Sequence, residues 1–444
     1  MQDPDRGLAA AHQALAQLVD AQGVGRLCVA YSGGADSTAL LHLASAWGAR
    51  RGVPVRVHHV DHGLHPRSAA WAEFCAARAR ELGLPYTCTR VTSAPPPGAS
   101  VEAWAREARY AALAAGCAAD EAVLTAHHRE DQVETVMQRI VHAAGPHGLA
   151  GIPALRTLGH GWLARPLLGC TRDSLRSYLA GRAARWIDDP ANSDVRYLRN
   201  RLRHTAWPAL AAAVPGAADG LVRLAALQQA LARGLDGYAD ALLGTAATRA
   251  LPVAVLERAP LDLRPYVLRR FLDRAACLPI GARALRAILD SVCAARVDAA
   301  PTVSWGGHAV RRYRGVLYVM SEPLAPVPEV PQAWYRDDEL HLSCGRLCAV
   351  RAADGELDAG RLDAADRVVV DFRRGGERCR PAGRRHHHAL KKLFQDWGVP
   401  PWERERTPLL YLDGELAAVV GHCVCAGFAA PPGRPAYRLD WTPI

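Results

Sequence analysis

Lysine is nearly missing from this chain. Of its 54 basic residues only Lys391 and Lys392 are lysines, and all the others are arginine. An Ala- and Arg-rich bias over the whole sequence accounts for this and singles out the one place where it stops. Long apolar runs are also missing. None reaches the roughly 18 residues that span a bilayer, so no membrane segment is expected. The first residues, Met1-Gln2-Asp3-Pro4-Asp5-Arg6, carry two acids with no long apolar core behind them, so no secretory signal is expected. The 12 cysteines form no C-x-x-C pair, and Cys423 and Cys425 are the closest two. This argues against a disulfide scaffold and a zinc ribbon, and for a reducing, cytoplasmic setting.

What is present is a chain of 444 residues, half of them hydrophobic and 22% charged. That composition is globular, and at roughly 100–200 residues per domain it allows several domains, each with a sizeable core. The net charge is +10, and +6 of it lies in the 35 residues from Phe372 to Arg406. So dense a cluster suits a polyanionic partner, or else a solvated loop.

The first 200 residues alternate strand and helix patterns. Strands are expected at Arg26–Tyr31, Val55–Val60, Tyr86–Val91 and Ala122–Ala126. Helices are expected at Thr38–Trp47, Ala69–Leu82, Val101–Ala115 and Asp131–His142. Strands separated by such helices predict a parallel sheet of βαβ units, with ligands beyond the carboxyl ends of its strands. From about Leu198 the pattern turns helical, with Ala/Leu-rich stretches at Ala209–Leu243 and Leu261–Ala295. Pro323–Pro331 reads as a proline-rich linker. Short strand-like runs follow at Leu340–Leu342, Leu347–Val350, Val368–Asp371, Leu409–Leu412 and Leu416–Val420. There is no internal repeat. The expected fold is α/β: a Rossmann-like parallel-sheet domain (1–215), an α-helical middle domain (216–322) and a small, mostly β, α+β domain (332–444).

Ser32-Gly33-Gly34-Ala35-Asp36-Ser37 follows the first strand and opens a helix. Glycines admit close backbone approach, and helix-end N–H groups favour an anion. The Ser32 and Ser37 hydroxyls add donors. Asp36 is a poor phosphate ligand and better suited to hold Mg²⁺ against phosphates. The loop is neither G-x-x-x-x-G-K-[ST] nor G-x-G-x-x-G. It resembles the PP-loop of the N-type ATP pyrophosphatases, which cleave ATP to AMP and pyrophosphate and activate an oxygen by adenylation.

Further strings narrow the resemblance. They are Val60-Asp61-His62-Gly63-Leu64 with Ser68, then Glu102, Arg106, Arg109 and Tyr110 on one expected helix, and Thr125-Ala126-His127-His128-Arg129-Glu130-Asp131-Gln132-Val133-Glu134-Thr135. Arg165-Pro166-Leu167-Leu168, Asp189-Pro190-Ala191-Asn192-Ser193-Asp194 and Arg199-Asn200-Arg201-Leu202-Arg203 follow. Near the end stand Gly375-Gly376-Glu377-Arg378 and Leu390-Lys391-Lys392-Leu393-Phe394-Gln395-Asp396-Trp397. Together these resemble the tRNA(Ile)-lysidine synthase family over the whole chain. Two positions depart from its pattern: Glu130 stands where the family has Asp, and Ala191 where Ser is common.

The resemblance implies adenylation by ATP of C2 of the wobble cytidine (position 34) in a CAU-anticodon isoleucine tRNA. L-lysine then attacks, forming lysidine and releasing AMP. The implied partners are this tRNA, L-lysine and ATP with Mg²⁺; no membrane is involved, and a homodimer is admissible. Ser32, Gly33, Gly34, Ala35, Asp36 and Ser37 would bind ATP, and Asp36 and Asp131 would hold the metal. Asp36, His127, Glu130, Asp131 and Glu134 would carry the chemistry, with His128 as an alternative acid–base group. Which carboxylate binds lysine and which binds metal stays open. Arg106 and Arg109, one turn apart, would clamp phosphate or tRNA, unless they pair with Glu102 or Glu107. Arg196, Arg199, Arg201, Arg203, Arg378, Lys391 and Lys392 would contact tRNA. Phe394, Trp397 and Trp402 would either stack on bases or form the core of the last domain. The rival on the same loop is a tRNA thiolase, which commonly needs cysteines beside these motifs, and none is there. A non-catalytic tRNA binder would not need the loop and the acids together, and an amidotransferase-coupled synthetase would need a glutaminase domain.

Overall fold

The computed structural model describes residues 4–96, 98, 100–189, 198–245, 249–275, 280–295, 301–335, 338–353 and 355–443. Its contacts divide into two units, Met1–Gly234 and Leu235–Ile444.

The first unit is built on a six-stranded sheet. The strands are β1 (Arg26–Ala30), β2 (Val55–Asp61), β3 (Tyr86–Arg90), β4 (Glu121–Leu124), β5 (Leu155–Leu158) and β6 (Gly161–Ala164). Their order is β3-β2-β1-β4-β6-β5, parallel except for the β5–β6 hairpin. The helices are α1 (Pro4–Gln22), α2 (Ala35–Arg51), α3 (Ser68–Glu81), α4 (Val101–Ala115), α5 (Arg129–Val141), α6 (Pro146–Leu149) and α7 (Arg172–Ala180). The four expected strand–helix pairs are all present. Leu27 and Val29 of β1 and Leu40, Leu41 and Leu43 of α2 are fully buried in one core. Each such side chain contributes about 1.5–3 kcal/mol by leaving water. That core anchors the turn between β1 and α2.

The strand order creates a switch point. From β1 the chain moves outward to β2 and β3, then returns to β4 on the other side of β1. The loops leaving β1 and β4 therefore diverge and leave a crevice between them, where such sheets bind ligands. Three short helical segments follow, α8 (Leu198–Arg201), a π-type turn (Leu202–Ala206) and α9 (Trp207–Ala213), and then the 27-residue α10 (Ala217–Leu243), in which the first unit ends.

The second unit opens on the helical stretch expected from the sequence: α11 (Val253–Glu257), α12 (Arg264–Arg274) and α13 (Ala282–Ala287). The structure adds an antiparallel sheet here that the sequence analysis did not anticipate. Its strands are β7 (Ala250–Pro252), β8 (Thr302–Trp305), β9 (His308–Tyr313) and β10 (Val316–Ser321), in the order β7-β10-β9-β8. Val310, Leu317 and Val319 pack with Val267, Leu268 and Phe271 of α12. Apolar residues in β9 and β10 are interrupted by arginine and tyrosine, which hid their alternation. Residues 323–331 form neither helix nor strand, as a proline-rich linker should.

Two further sheets follow. One is formed by β11 (Gln332–Ala333), β15 (Val368–Asp371), β18 (Leu409–Leu412), β19 (Glu415–Val419) and β20 (Cys423–Val424). The other is formed by β12 (Leu340–Leu342), β13 (Gly345–Arg351), β21 (Ala436–Pro443) and β14 (Leu357–Asp358). Val370 and Leu410 of the first share a core with Leu347 and Tyr437 of the second, closed by Leu362 of α14 (Ala359–Ala364). A hairpin, β16 (Arg378–Cys379) with β17 (His388–Ala389), leads into α15 (Leu390–Asp396) and then α16 (Pro401–Arg404). Among the described residues no single helix is long and apolar enough to cross a membrane.

Candidate active site

The turn after β1 is shaped by Gly33. Its φ of +84° lies in the left-handed region. A Cβ there would sit 2.7 Å from Ile187 Cδ1 and 3.1 Å from Cys75 Sγ, so only glycine fits. Ile187 N–H also donates to Gly33 O at 2.8 Å, which fixes the back of the loop. Gly34 caps α2 and has open space on its Cβ side, where only Ser32 Oγ lies within 3.7 Å. Ser32 Oγ and Ser37 Oγ are 3.0 Å apart. The result is a shallow cradle at the positive end of a 17-residue helix, open to an anion.

The turn after β4 faces it. His128 is the N-cap of α5, and its N–H donates to Asp131 Oδ2 at 2.9 Å. This tight start turns the His128 ring inward, where only 1% of it is exposed. Its Nε2 lies 3.5 Å from Asp36 Oδ2 and 3.6 Å from Asp131 Oδ2, and its Nδ1 lies 2.8 Å from Glu130 Oε2. Burial opposes a charge on this ring, but Asp36, Glu130 and Asp131 outweigh burial and push its pKa up to about 9. His128 is therefore an imidazolium at neutral pH. His127 is its opposite. Burial, helped by Arg165, Arg199 and Arg109, outweighs Asp131 and holds its pKa at about 3. Its Nδ1 lies 3.1 Å from Thr125 Oγ1. His127 is thus a neutral, weakly basic ring able to accept a hydrogen bond, beside a charged one that can only donate.

The remaining acids are engaged by arginine. Arg199 donates to Asp131 Oδ1 at 2.6 Å and to Glu134 Oε2 at 2.8 Å. Arg203 donates to Glu134 Oε1 at 2.5 Å and Oε2 at 3.0 Å. Burial works against the Asp131 carboxylate, but His128 and Arg199 prevail and hold its pKa below the usual range. Glu130 is likewise held low, with His128 outweighing burial. It also accepts from the Arg172 N–H at 3.0 Å, tying α5 to the start of α7. Glutamate's extra methylene lets one carboxylate serve both partners.

On α4, Arg106 and Arg109 make no ion pair with Glu102 or Glu107 among the described residues. Their guanidiniums lie 5.4 and 5.5 Å from the Tyr110 ring, joined by Arg156 at 4.9 Å. Burial lowers the pKa of Arg109 and of Arg165. Burial pulls the Tyr110 phenol the other way, yet Arg106, Arg165 and Arg109 bring its pKa below the ordinary value. Four guanidiniums around one phenol favour an added anion.

The structure thus brings Asp36, His127, His128, Glu130, Asp131, Glu134, Arg199 and Arg203 into one crevice. Arg201 is exposed nearby. Residues 190–197, with most of the Asp-Pro-Ala-Asn string and Arg196, lie outside the described residues. No group of three or more His, Cys, Asp or Glu among the described residues is arranged to hold a metal ion. Asp131 has an N–H on one oxygen and a guanidinium on the other, whereas Asp36 is 36% exposed and borders the cradle. Asp36 alone fits a cation that takes its other ligands from phosphate and water. Sequence reasoning missed Arg172, and it missed the pairing of the acids with Arg199 and Arg203. The i, i+3 acids and i, i+4 arginines were the available signal, since both spacings put charges on one helical face.

In the second unit, Glu377 Oε1 accepts the N–H of Gly375 at 2.7 Å, a turn that Gly375 permits at φ +105°. Arg374, Arg378, Arg380, Arg384, Arg385, Lys391 and Lys392 are all exposed. Phe394 is buried, Trp397 stacks on His422 at 5.4 Å, and Trp402 packs edge-on against Tyr313 and Tyr318. Phe394 and Trp397 belong to the last domain's packing and Trp402 packs on β9 and β10, which leaves the cations as the outward chemistry.

Three family models match the chain: a PP-loop domain over residues 8–210, a TilS substrate binding domain over 251–318 and a TilS substrate C-terminal domain over 368–441. A tRNA(Ile)-lysidine synthase of Alkalilimnicola ehrlichii is 40% identical over 418 residues, covering 93% of this chain and 92% of that protein. One from Coxiella burnetii is 36% identical over 412 residues, covering 91% and 90%. Among solved structures, a U34-tRNA thiolase from Methanococcus maripaludis aligns with a TM-score of 0.41 at 13% identity, over 51% of this chain and 80% of that one.

Proposed function

The chain belongs to the tRNA(Ile)-lysidine synthase family, and we propose how its residues carry out that ATP-dependent ligation on isoleucine tRNA. The wobble cytidine O2, in a CAU anticodon, attacks the α-phosphorus of ATP. The oxygen becomes part of a phosphate leaving group, and pyrophosphate stays against the cradle Ser32–Ser37. L-lysine then attacks C2, and AMP departs. Residues 1–215 do this chemistry, 216–322 help recognise the tRNA, and 332–444 grip it, in the cytoplasm.

The observation that carries the reading is the meeting of the Ser32–Ser37 cradle with four carboxylates (Asp36, Glu130, Asp131, Glu134) across the His128 bridge, with Asp131 and Glu134 held by Arg199 and Arg203. Asp36, which is 36% exposed and meets no arginine among the described residues, is the carboxylate left for an added cation, whether a metal on the phosphates or the ammonium of lysine. The incoming ammonium must lose a proton before it attacks, because its free pKa is about 10.4. His127, held at about 3 by burial, is too weak a base to take that proton, so the proton passes to water as the crevice desolvates the ammonium, and neutral His127 orients the freed amine by accepting its hydrogen bond. Asp36 would hold Mg²⁺, which when bound would supply neutralisation of the charge on the phosphates. Arg106 and Arg109, around Tyr110, hold a phosphate of ATP or tRNA. Arg201, Arg378, Lys391 and Lys392 are exposed and contact the tRNA backbone.

The test is to omit lysine. With ATP labelled at the α-phosphate, CAU-anticodon tRNA should acquire the label, and added lysine should discharge it as AMP. Label that never reaches tRNA, with AMP formed regardless of tRNA, would refute the adenylation order.

A further inference from the structure

Cys379, Cys423 and Cys425 converge in the second unit, far in sequence from the ATP loop. Cys379 follows Arg378 on β16, and Ala426 N–H donates to Arg380 O at 2.8 Å, so the two segments run side by side. Cys379 Sγ lies 2.7 Å from Cys425 Sγ and 3.7 Å from Cys423 Sγ. The shorter separation is inside van der Waals contact and only somewhat beyond the roughly 2.05 Å of a disulfide bond. Both members of the pair are nearly buried, at 1% and 6% exposure, yet both line a cavity of about 360 Å³. Arg378, Arg380 and His387 stand in its wall. The cavity therefore offers two adjacent sulfurs and a cationic rim.

We propose that Cys379 and Cys425 are a reversible thiol–disulfide exchange site whose co-substrate is a small anionic disulfide of the glutathione type. The Arg378 and Arg380 guanidiniums attract its carboxylates. The Cys425 thiolate attacks one sulfur of the small disulfide. That S–S bond breaks, and one half leaves as a thiolate that takes the Cys379 proton. Cys379 sulfur then attacks Cys425 sulfur in the mixed disulfide and expels the second thiolate. Two protein thiols and one small disulfide become one protein disulfide and two small thiols. Excess small thiol reverses each step.

The roles follow from the environment of each sulfur. The hydrogen bond from Cys379 outweighs burial and lowers the pKa of Cys425, while the neighbouring sulfurs and burial raise that of Cys379. Thiolate character thus gathers on Cys425, the attacking group. Closing the bond ties the end of β20 to β16 and holds Arg378 and Arg380, which flank Cys379, in one arrangement. In a reducing compartment such bonds are transient rather than structural.

The full chain, first reduced and then exchanged into glutathione disulfide, should show in intact mass the glutathione adduct of exposed Cys88 and, beyond it, the loss of two hydrogens. Peptide mapping should place one bond at Cys379, and reduced glutathione should remove it. The Cys423→Ser variant should still form the bond, and Cys423→Ser/Cys425→Ser should not. Exposed Cys88 is the internal control, since it should take up a glutathione adduct without cross-linking. Modification of Cys88 with Cys379 and Cys425 left as free thiols would overturn the proposal. So would loss of the bond in Cys423→Ser, which would give Cys423 the role assigned to Cys425.

Discussion

His128 Nε2 stands 3.5 Å from Asp36 Oδ2, linking the loop after β4 to the loop after β1. This contact joins the two halves of the crevice and gives the imidazolium a reason to be buried. It also makes Asp36 serve two purposes, as a partner of His128 and as the carboxylate bordering the phosphate cradle. Asp36→Asn should therefore fold, because the residue is 36% exposed, yet lose tRNA-dependent AMP release by roughly a hundredfold or more. Unchanged AMP release, followed by thin-layer chromatography of labelled ATP, would remove Asp36 from the reaction.

The pH dependence of stability has a definite sign. A free imidazole loses its proton near 6.5, whereas His128 keeps it to about 9. The stabilisation is complete below 6.5 and declines as pH rises through 9. For this buried ring it amounts to roughly 3 kcal/mol at most. His127 runs the other way: its contribution is complete above 6.5 and is lost as pH falls toward 3. Urea midpoints of wild type and His128→Gln should differ most below pH 6.5 and converge above pH 9. A constant gap across that range would mean that the ring carries no proton.

Arg201 and Arg203 should separate by role. Arg203 holds Glu134, which is only 2% exposed, so Arg203→Ala leaves a buried carboxylate short of a partner. A stability loss of about 2–4 kcal/mol is expected, read as a lower thermal midpoint. Arg201→Ala, at an exposed position, should leave the midpoint unchanged and weaken tRNA binding alone. Equal effects on melting would contradict this division.

Lys391 and Lys392 lie on the outer face of α15, whose inner face buries Leu393 and Phe394. Replacing both lysines with alanine should weaken tRNA binding and reduce its salt dependence by up to roughly two units of slope. The KM for ATP should not change. An unaltered salt slope would show that these lysines do not meet phosphate.

Much of this was legible in the sequence, because the signals were local. A short apolar strand before Ser32–Ser37 and another before His127–Glu134 fixed both loops, and parallel order follows from helices between strands. Long-range pairing was not legible. The i, i+4 spacing of Arg199 and Arg203 puts them on one face, but nothing local says that this face returns to Asp131 and Glu134. Strands β8 to β10 were hidden for a related reason: Arg311, Arg312 and Tyr313 break the apolar alternation, and only packing against α12 reveals it. In sequence Trp402 is open to two readings, base stacking or domain core, because charge surrounds it; in space it meets Tyr313 and Tyr318.

The most direct measurement is incorporation of radiolabelled lysine into CAU-anticodon isoleucine tRNA, with ATP and Mg²⁺, by wild type and by His127→Ala, Asp36→Asn and Lys391→Ala/Lys392→Ala. The account predicts one lysine per tRNA with wild type, almost none with the first two variants, and recovery at high tRNA concentration with the third. Incorporation at wild-type rates by Asp36→Asn and His127→Ala would contradict it, because the crevice between β1 and β4 would then not be where the bond is made.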